Sequence, residues 1–294
     1  MPYNNAILEG VDLTGANLTD ASFLQAILRS NPVDPNNPAD DVPTKLINAK
    51  LKGADFRESL LTDVIATGAD FSPSLTRVTD FSLAVMNNVN FSGATFTGAN
   101  LFKTSINGSN FQHAILINAN LSEADLSGEP DGIFNNFSNA NLTGANLTSA
   151  KLKGANLTDA KLIDANLQGA DLESALIINV DATGADFRLT NFTDSRIENS
   201  TFDLANLGGV ALTDTGPDNA GGISNSFRGA NLAGFRAEDV NLGSADFRPY
   251  DPGLPGSQTG TIRIWENDAL PPGFNSTTDI VITNCPVQLC RTQT

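Results

Sequence analysis

The chain has 294 residues, with 33 acidic against 17 basic side chains for a net charge of −16, one His, two Cys, one Trp and 25 Gly. That acidic excess argues against a phosphate-gripping nucleic-acid binder, which needs clustered Lys and Arg, and no apolar run is long enough for a membrane-spanning helix. One His and two Cys leave little for metal or nucleophilic catalysis, and only 8 of the acids are Glu, so a favoured helix former is scarce and turn-preferring Asp is abundant.

The opening Met1-Pro2-Tyr3-Asn4-Asn5 has no basic region followed by an apolar stretch, so no export signal is expected there. A period of five then takes over, as in Ala16-Asn17-Leu18-Thr19-Asp20, Ala140-Asn141-Leu142-Thr143-Gly144 and Ala155-Asn156-Leu157-Thr158-Asp159. With the large apolar residue as centre, the centres run in four blocks: Leu8 to Leu28, Leu46 to Leu126, Phe137 to Leu212 and Phe227 to Phe247. Of 43 centres, 39 are Leu, Phe, Ile or Met, the exceptions being Ala66, Thr76, Ala182 and Ala237, and Ala stands two places earlier at 25 of them.

A period of five fits neither an amphipathic helix nor a flat alternating strand. The centre and the residue two before it have strand-like spacing on one face. Three polar or Gly positions follow, so the chain must turn after each short pair. Gly recurs two places after the centre (Gly15, Gly53, Gly93, Gly144, Gly184), where a turn can use positive φ cheaply. One unit cannot bury its apolar pair alone, but stacked units can, with Ala letting walls approach and Leu or Phe filling the axis.

These columns resemble the pentapeptide-repeat family, whose pattern is close to A-(D/N)-L-x-x, over residues 6 to about 249. The resemblance implies an all-β fold: a right-handed quadrilateral parallel β-helix with four units per coil. It would have about eleven coils and, at roughly 4.8 Å per coil, a length of about 50 Å. Each unit should stack on the fourth unit after it, so Phe71, Phe91 and Phe111 are expected to form one aromatic ladder.

Three stretches break the register within the repeat domain, residues 1–248. The first, near 29–44, contains Pro32, Pro35, Pro38 and Pro43 and must leave the wall, because Pro cannot donate to the ladder. The others lie near 127–135 and 213–225. Loops on rigid scaffolds often carry function, and Asp34, Asn36, Asp40 and Asp41 of the first make it the candidate partner loop. Residues 249–294 leave the repeat, with β-branched runs at Thr261–Trp265 and Asp279–Thr283, and read as an irregular C-terminal cap over the open apolar end. Cys285 and Cys290 could pair within this tail or remain thiols.

No catalytic, cofactor or metal site is expected. His113 falls on an outward turn without a recognisable partner. Asp55, Asp70, Asp80, Asp125, Asp171 and Asp186 share their column with Asn100, Asn120 and Asn166, and an acid that exchanges with an amide is not an acid–base catalyst. The expected function is a non-enzymatic scaffold for an unidentified protein partner, monomeric or weakly dimeric, with no nucleic-acid contact and no membrane insertion. The cytoplasm is favoured over a periplasm or lumen. The alternative comes from the resemblance: some bacterial members mimic B-DNA and engage DNA gyrase, a type II topoisomerase. Duplex DNA carries one charge per about 1.7 Å, so a rod of about 50 Å would mimic roughly thirty, whereas residues 1–248 carry a net −14 without an evident stripe.

Overall fold

The computed structural model describes residues 2–32, 41–128, 132–213, 225–227, 230, 236–238 and 281–283. Within them the Ala and centre columns point inward as one continuous core, with Ala145, Leu147, Ala165 and Leu167 all essentially inaccessible. Successive coils are stitched by parallel backbone bonds: Leu142 N–H donates to the Lys161 carbonyl at 2.7 Å, and Lys161 N–H donates to the Ala140 carbonyl at 2.9 Å. The bridges from Asn141 to Lys161 to Asp181 to Thr201 each advance by four units, so four units make one coil.

Each unit turns in the same way. The residue two after the centre is held in the left-handed region along the wall, from Asn5 (φ 56°) to Gly209 (φ 73°). Gly, Asn and Asp dominate this column because they enter that region at least cost. The Asn or Asp just before the centre closes the turn: Asn141 Oδ1 accepts the Thr143 N–H at 3.1 Å, and Asp171 Oδ1 accepts the Glu173 N–H at 3.1 Å. Both side chains offer the same oxygen, which is why they interchange.

Extended strands appear only on units lacking that Asn or Asp. These are β1 Ile7–Glu9, β2 Ile27–Arg29, β3 Leu60–Thr62, β4 Val85–Asn87, β5 Ser105–Asn107, β6 Leu176–Ile178, β7 Arg196–Glu198, β8 Ala211–Thr213, β9 Arg236–Glu238 and β10 Val281–Thr283. Strands β1 to β5 stack in chain order as one parallel sheet, and β8, β9 and β10 form another. The run Asp279–Thr283 thus contains a strand, paired in parallel with Arg236–Glu238. Phe247, Thr261–Trp265 and the last of the expected eleven coils lie outside the described residues.

The aromatic ladder differs from expectation. Phe91 stacks on Phe111 at 4.9 Å and Phe111 on Phe137 at 4.8 Å, but Phe71 stacks on Phe96 at 4.8 Å and meets Phe91 edge-on at 6.0 Å. Asp70 pairs with Thr95, one unit further on than a regular coil would give, because residues 73–78 leave the wall. Thr76 is therefore no core centre; it is exposed. Ser74 organises this excursion: its hydroxyl donates to Asp20 Oδ1 at 2.6 Å and accepts the Thr76 and Arg77 N–H groups at 3.2 and 3.0 Å, leaving Leu75 fully exposed.

The loop after Leu126 folds back onto its own wall. The Phe134 ring covers Gly128 and Gly154, and a Cβ at either glycine would collide with it. Gly154→Ala is expected to cost roughly 1–3 kcal/mol from overpacking, beyond the backbone penalty read from Gly93→Ala, where a Cβ meets nothing. A Phe134→Ala background should remove the excess. Equal losses for the two glycine variants in urea unfolding would show that the ring is not seated there.

Candidate functional site

The described part of the anticipated partner loop is its base. Asn31 and Val42 pair antiparallel, with N–H to carbonyl distances of 2.7 and 3.1 Å, and they crowd the Cα of Gly10. Asp41 sits beside this pair, half-buried, whereas Asp34, Asn36 and Asp40 lie outside the described residues, as do Cys285 and Cys290. With this pair kept, residues 33–40 are the segment whose removal tests the loop. Deleting those residues should leave Tm within about 2 °C of the parent, since surface loops are tolerant of length. A larger fall would mean that they pack against the wall.

His113 is exposed in the left-handed region (φ 60°). The outward acids serve turn caps and ion pairs. Arg57 Nη2 donates to Asp55 Oδ2 at 2.7 Å and Arg188 Nη2 to Asp186 Oδ2 at 2.6 Å. Between coils, Lys151 meets Asp125 at 2.9 Å, Lys103 meets Glu123 at 3.2 Å and Lys52 meets Asp70 at 3.3 Å. Hydrogen bonding from Arg188 holds the Asp186 carboxyl below its usual 3.8, and Arg57 does the same for Asp55. A depressed carboxyl stabilises the fold above its ordinary value, and that contribution is lost as pH falls through the depressed one. Asp186→Asn keeps the capping oxygen but loses the ion pair. It should therefore be less stable than the parent by roughly 0.5 kcal/mol at pH 6, with the gap closing as pH falls below 3.8 and through the depressed value. A gap unchanged with pH in thermal unfolding would assign the loss to another cause.

Buried polar residues mark each place where the chain re-enters the wall. After the first loop, the Thr44 hydroxyl lies 2.8 and 2.7 Å from the Leu8 and Arg29 carbonyls. After the 73–78 excursion, Thr79 Oγ1 accepts Gly53 N–H at 2.8 Å and donates to the Ser72 carbonyl at 3.0 Å. At the next re-entry Asn135 Oδ1 accepts Ser109 N–H at 2.7 Å, while Nδ2 donates to the Ile106 and Leu126 carbonyls at 2.6 and 2.7 Å. Asn225 repeats the device, accepting Ser200 N–H at 2.9 Å and donating to the Ile197 carbonyl at 3.1 Å. At each, a polar side chain in the Ala column gives buried backbone groups a further hydrogen-bond partner, as Ser109 and Ser200 also do within the unbroken wall by accepting the Val89 and Val180 N–H groups at 3.0 Å. The sequence signal is a Thr or Asn, instead of Ala, before the first centre after a break.

One face departs from the polar pattern. Ile7, Ile27, Leu60 and Val85 precede inward centres on four successive coils and align in register. They form an outward aliphatic row where other rows carry mainly Asn, Asp, Lys or Thr with single aliphatics such as Ile65, Ile115 and Leu176; Ile7 is 65% exposed and the others are partly exposed. At the adjoining corner Leu83 is exposed in the left-handed region at φ 62°, an unfavourable place for a branched apolar residue.

Four-unit coils, parallel rungs and a core of stacked Leu, Ala and Phe define the class: a right-handed quadrilateral β-helix, a solenoid in which each coil touches only its neighbours. The chain belongs to the pentapeptide-repeat family, whose model, pentapeptide repeats, matches eight copies over residues 4–30, 44–72, 79–101, 96–128, 140–177 and 170–209. Among solved structures it is similar to HetL, a pentapeptide repeat protein involved in heterocyst differentiation regulation from the cyanobacterium Nostoc sp. strain PCC 7120. That match has 23% identity over 84% of this chain and 86% of the other, with a TM-score of 0.50. A pentapeptide repeat protein from the Arabidopsis thaliana thylakoid lumen is 36% identical over 31% of this chain and 60% of its own, with a TM-score of 0.29. QnrB1, a plasmid-mediated fluoroquinolone resistance protein, is 19% identical over 66% of this chain and 83% of its own, with a TM-score of 0.42. No curated protein matches the chain significantly. No helix among the described residues is long and apolar enough to cross a membrane.

Proposed function

We propose that the chain is a non-enzymatic scaffold, recognised by a protein partner where its uniform wall is interrupted. The observation that carries this reading is the use made of the outward carboxylates. Asp55, Asp70, Asp125 and Asp186 each accept the N–H two residues on and each meets a Lys or Arg, so the acid columns are occupied in holding the wall together. The same ion pairs dilute the net charge that imitation of a duplex would need. Residues 249–294 serve as the end cap in this reading, supported by the parallel pairing of Val281–Thr283 with Arg236–Glu238.

A DNA gyrase supercoiling assay with rising amounts of the purified chain separates this reading from the acidic DNA mimic. No inhibition at large molar excess is expected. Inhibition near stoichiometry would replace the scaffold by the mimic.

A further inference from the structure

We infer that Asn107 is a site of self-modification, at which the main-chain nitrogen of Gly108 attacks the side-chain amide and turns it into a carboxylate. The inference goes beyond the scaffold reading and is independent of it, so that either can fail alone. Asn107 is the only Asn in the chain followed by Gly, and Asn is among the thermolabile side chains. The reaction needs a neighbour without a side chain in the way, a nitrogen free to lose its proton, and water. Gly108 meets the first need, at a corner of the wall with φ 60°. Both residues are partly exposed, which meets the last.

The free nitrogen is what the fold adds. At this corner position the N–H ordinarily donates to the next coil: Asn88 donates to the Asn107 carbonyl at 2.9 Å, Lys103 to that of Ser122 and His113 to that of Ser138, both at 3.1 Å. Among the described residues the Gly108 N–H has no acceptor. Its counterpart one coil on is the Ser127 carbonyl, in the unit from which the 127–135 loop departs, and Asn135 Nδ2 lies 3.4 Å from that oxygen. The Asn-Ser pairs among the described residues differ in this respect. After Asn199, the Ser200 N–H donates to Asn225 Oδ1 at 2.9 Å, and after Asn225 the Ser226 N–H donates to the Ser200 carbonyl at 2.9 Å. The Asn107 amide is itself lightly held, by a bond from Nδ2 to Asn87 Oδ1 at 3.4 Å.

Water is the one co-reactant. Hydroxide takes the proton from the Gly108 nitrogen, which bonds to Asn107 Cγ; the Cγ–Nδ2 bond breaks and ammonia leaves, closing a cyclic imide. Water then opens the ring at either carbonyl. Opening at the side-chain carbonyl gives Asp, and opening at the main-chain carbonyl gives an isoaspartyl link that runs through the side chain. Both products add a negative charge beside Asn87. The isoaspartyl form also lengthens the backbone where Asn107 pairs with Asn87.

The test compares the full parent chain with an Asn88→Gly variant, both folded and incubated in mildly alkaline buffer. Asn88 already sits at φ 54°, so glycine is accommodated there. The substitution creates a second Asn-Gly pair in the same row, at Asn87, but with its N–H in the position that donates to the Asn107 carbonyl. Peptide mass spectrometry and enzymatic methyl labelling of isoaspartate read the conversion at each site. Asn107 is expected to convert in both chains, faster as pH rises, and in the variant at an initial rate at least tenfold above that of Asn87. In guanidinium chloride the two sites should convert at similar rates. An unconverted Asn107, or equal rates at the two sites in the folded variant, would overturn the proposal. A tenfold difference that persists in the denaturant would also overturn it, by assigning the preference to local sequence instead of the unbonded N–H.

Discussion

Replacing Leu147 by Asp is expected to destabilise the chain by on the order of 4 kcal/mol or more, with neighbouring coils losing protection together. Leu147 is 1% exposed, between Leu121 and Leu167 in one inward column. Truncating such a side chain to Ala alone costs about 2–5 kcal/mol. A carboxylate adds the penalty of an unpaired charge among apolar atoms, or of staying protonated at neutral pH. Thr148→Asp, one residue on and facing outward, is the matched control and should fall within about 0.5 kcal/mol of the parent. Urea unfolding of both variants decides the matter. A Leu147→Asp chain as stable as its control would mean that the inward face is wrongly assigned.

Asn135→Leu should produce the second large loss, although it makes a buried position more apolar. The amide satisfies three backbone groups at once: Ser109 N–H, Ile106 C=O and Leu126 C=O. Each is buried, and leaving a buried group unpaired costs about 1–3 kcal/mol, so a loss of roughly 3 kcal/mol or more is expected. Asn135→Asp retains the acceptor but loses both donors, and should be no milder. Hydrogen exchange at Ser109 gives a local readout, since its amide would lose its partner. A Leu variant no less stable than an ordinary surface substitution, within about 0.5 kcal/mol of the parent, would show that water or backbone adjustment fills the role assigned to this side chain.

The period of five is sufficient, in the sequence alone, to place inward and outward residues. Leu147, Phe111 and Ala145 are buried as their columns require, and His113 is on an outward turn. Which units share a face is less legible, because it depends on how many residues each excursion adds. Thr76 keeps step with the period yet leaves the wall, and that shifts Phe71 from Phe91 to Phe96. Pro73 and a polar centre are the available signals. The aliphatic row is hidden for the same reason: Ile7, Ile27, Leu60 and Val85 are unevenly spaced along the chain and become neighbours only once the loops are counted out. Thr44, Thr79 and Asn135 read as blemishes in the Ala column, whereas each hydrogen-bonds buried backbone groups where the chain rejoins the wall.

The loops have one more consequence, for building on this molecule. Those before Leu46 and before Phe137 differ in length but leave from the same edge, after Leu28 and after Leu126, and each returns to the next face in step. Leu28 and Leu126 are separated by the rungs of Leu61, Met86 and Ile106, about 19 Å along the axis at roughly 4.8 Å a step. Excursion length is therefore independent of wall geometry. The molecule acts as a ruler with two fixed mounting points, and foreign segments grafted at both would be held at that separation whatever their own size.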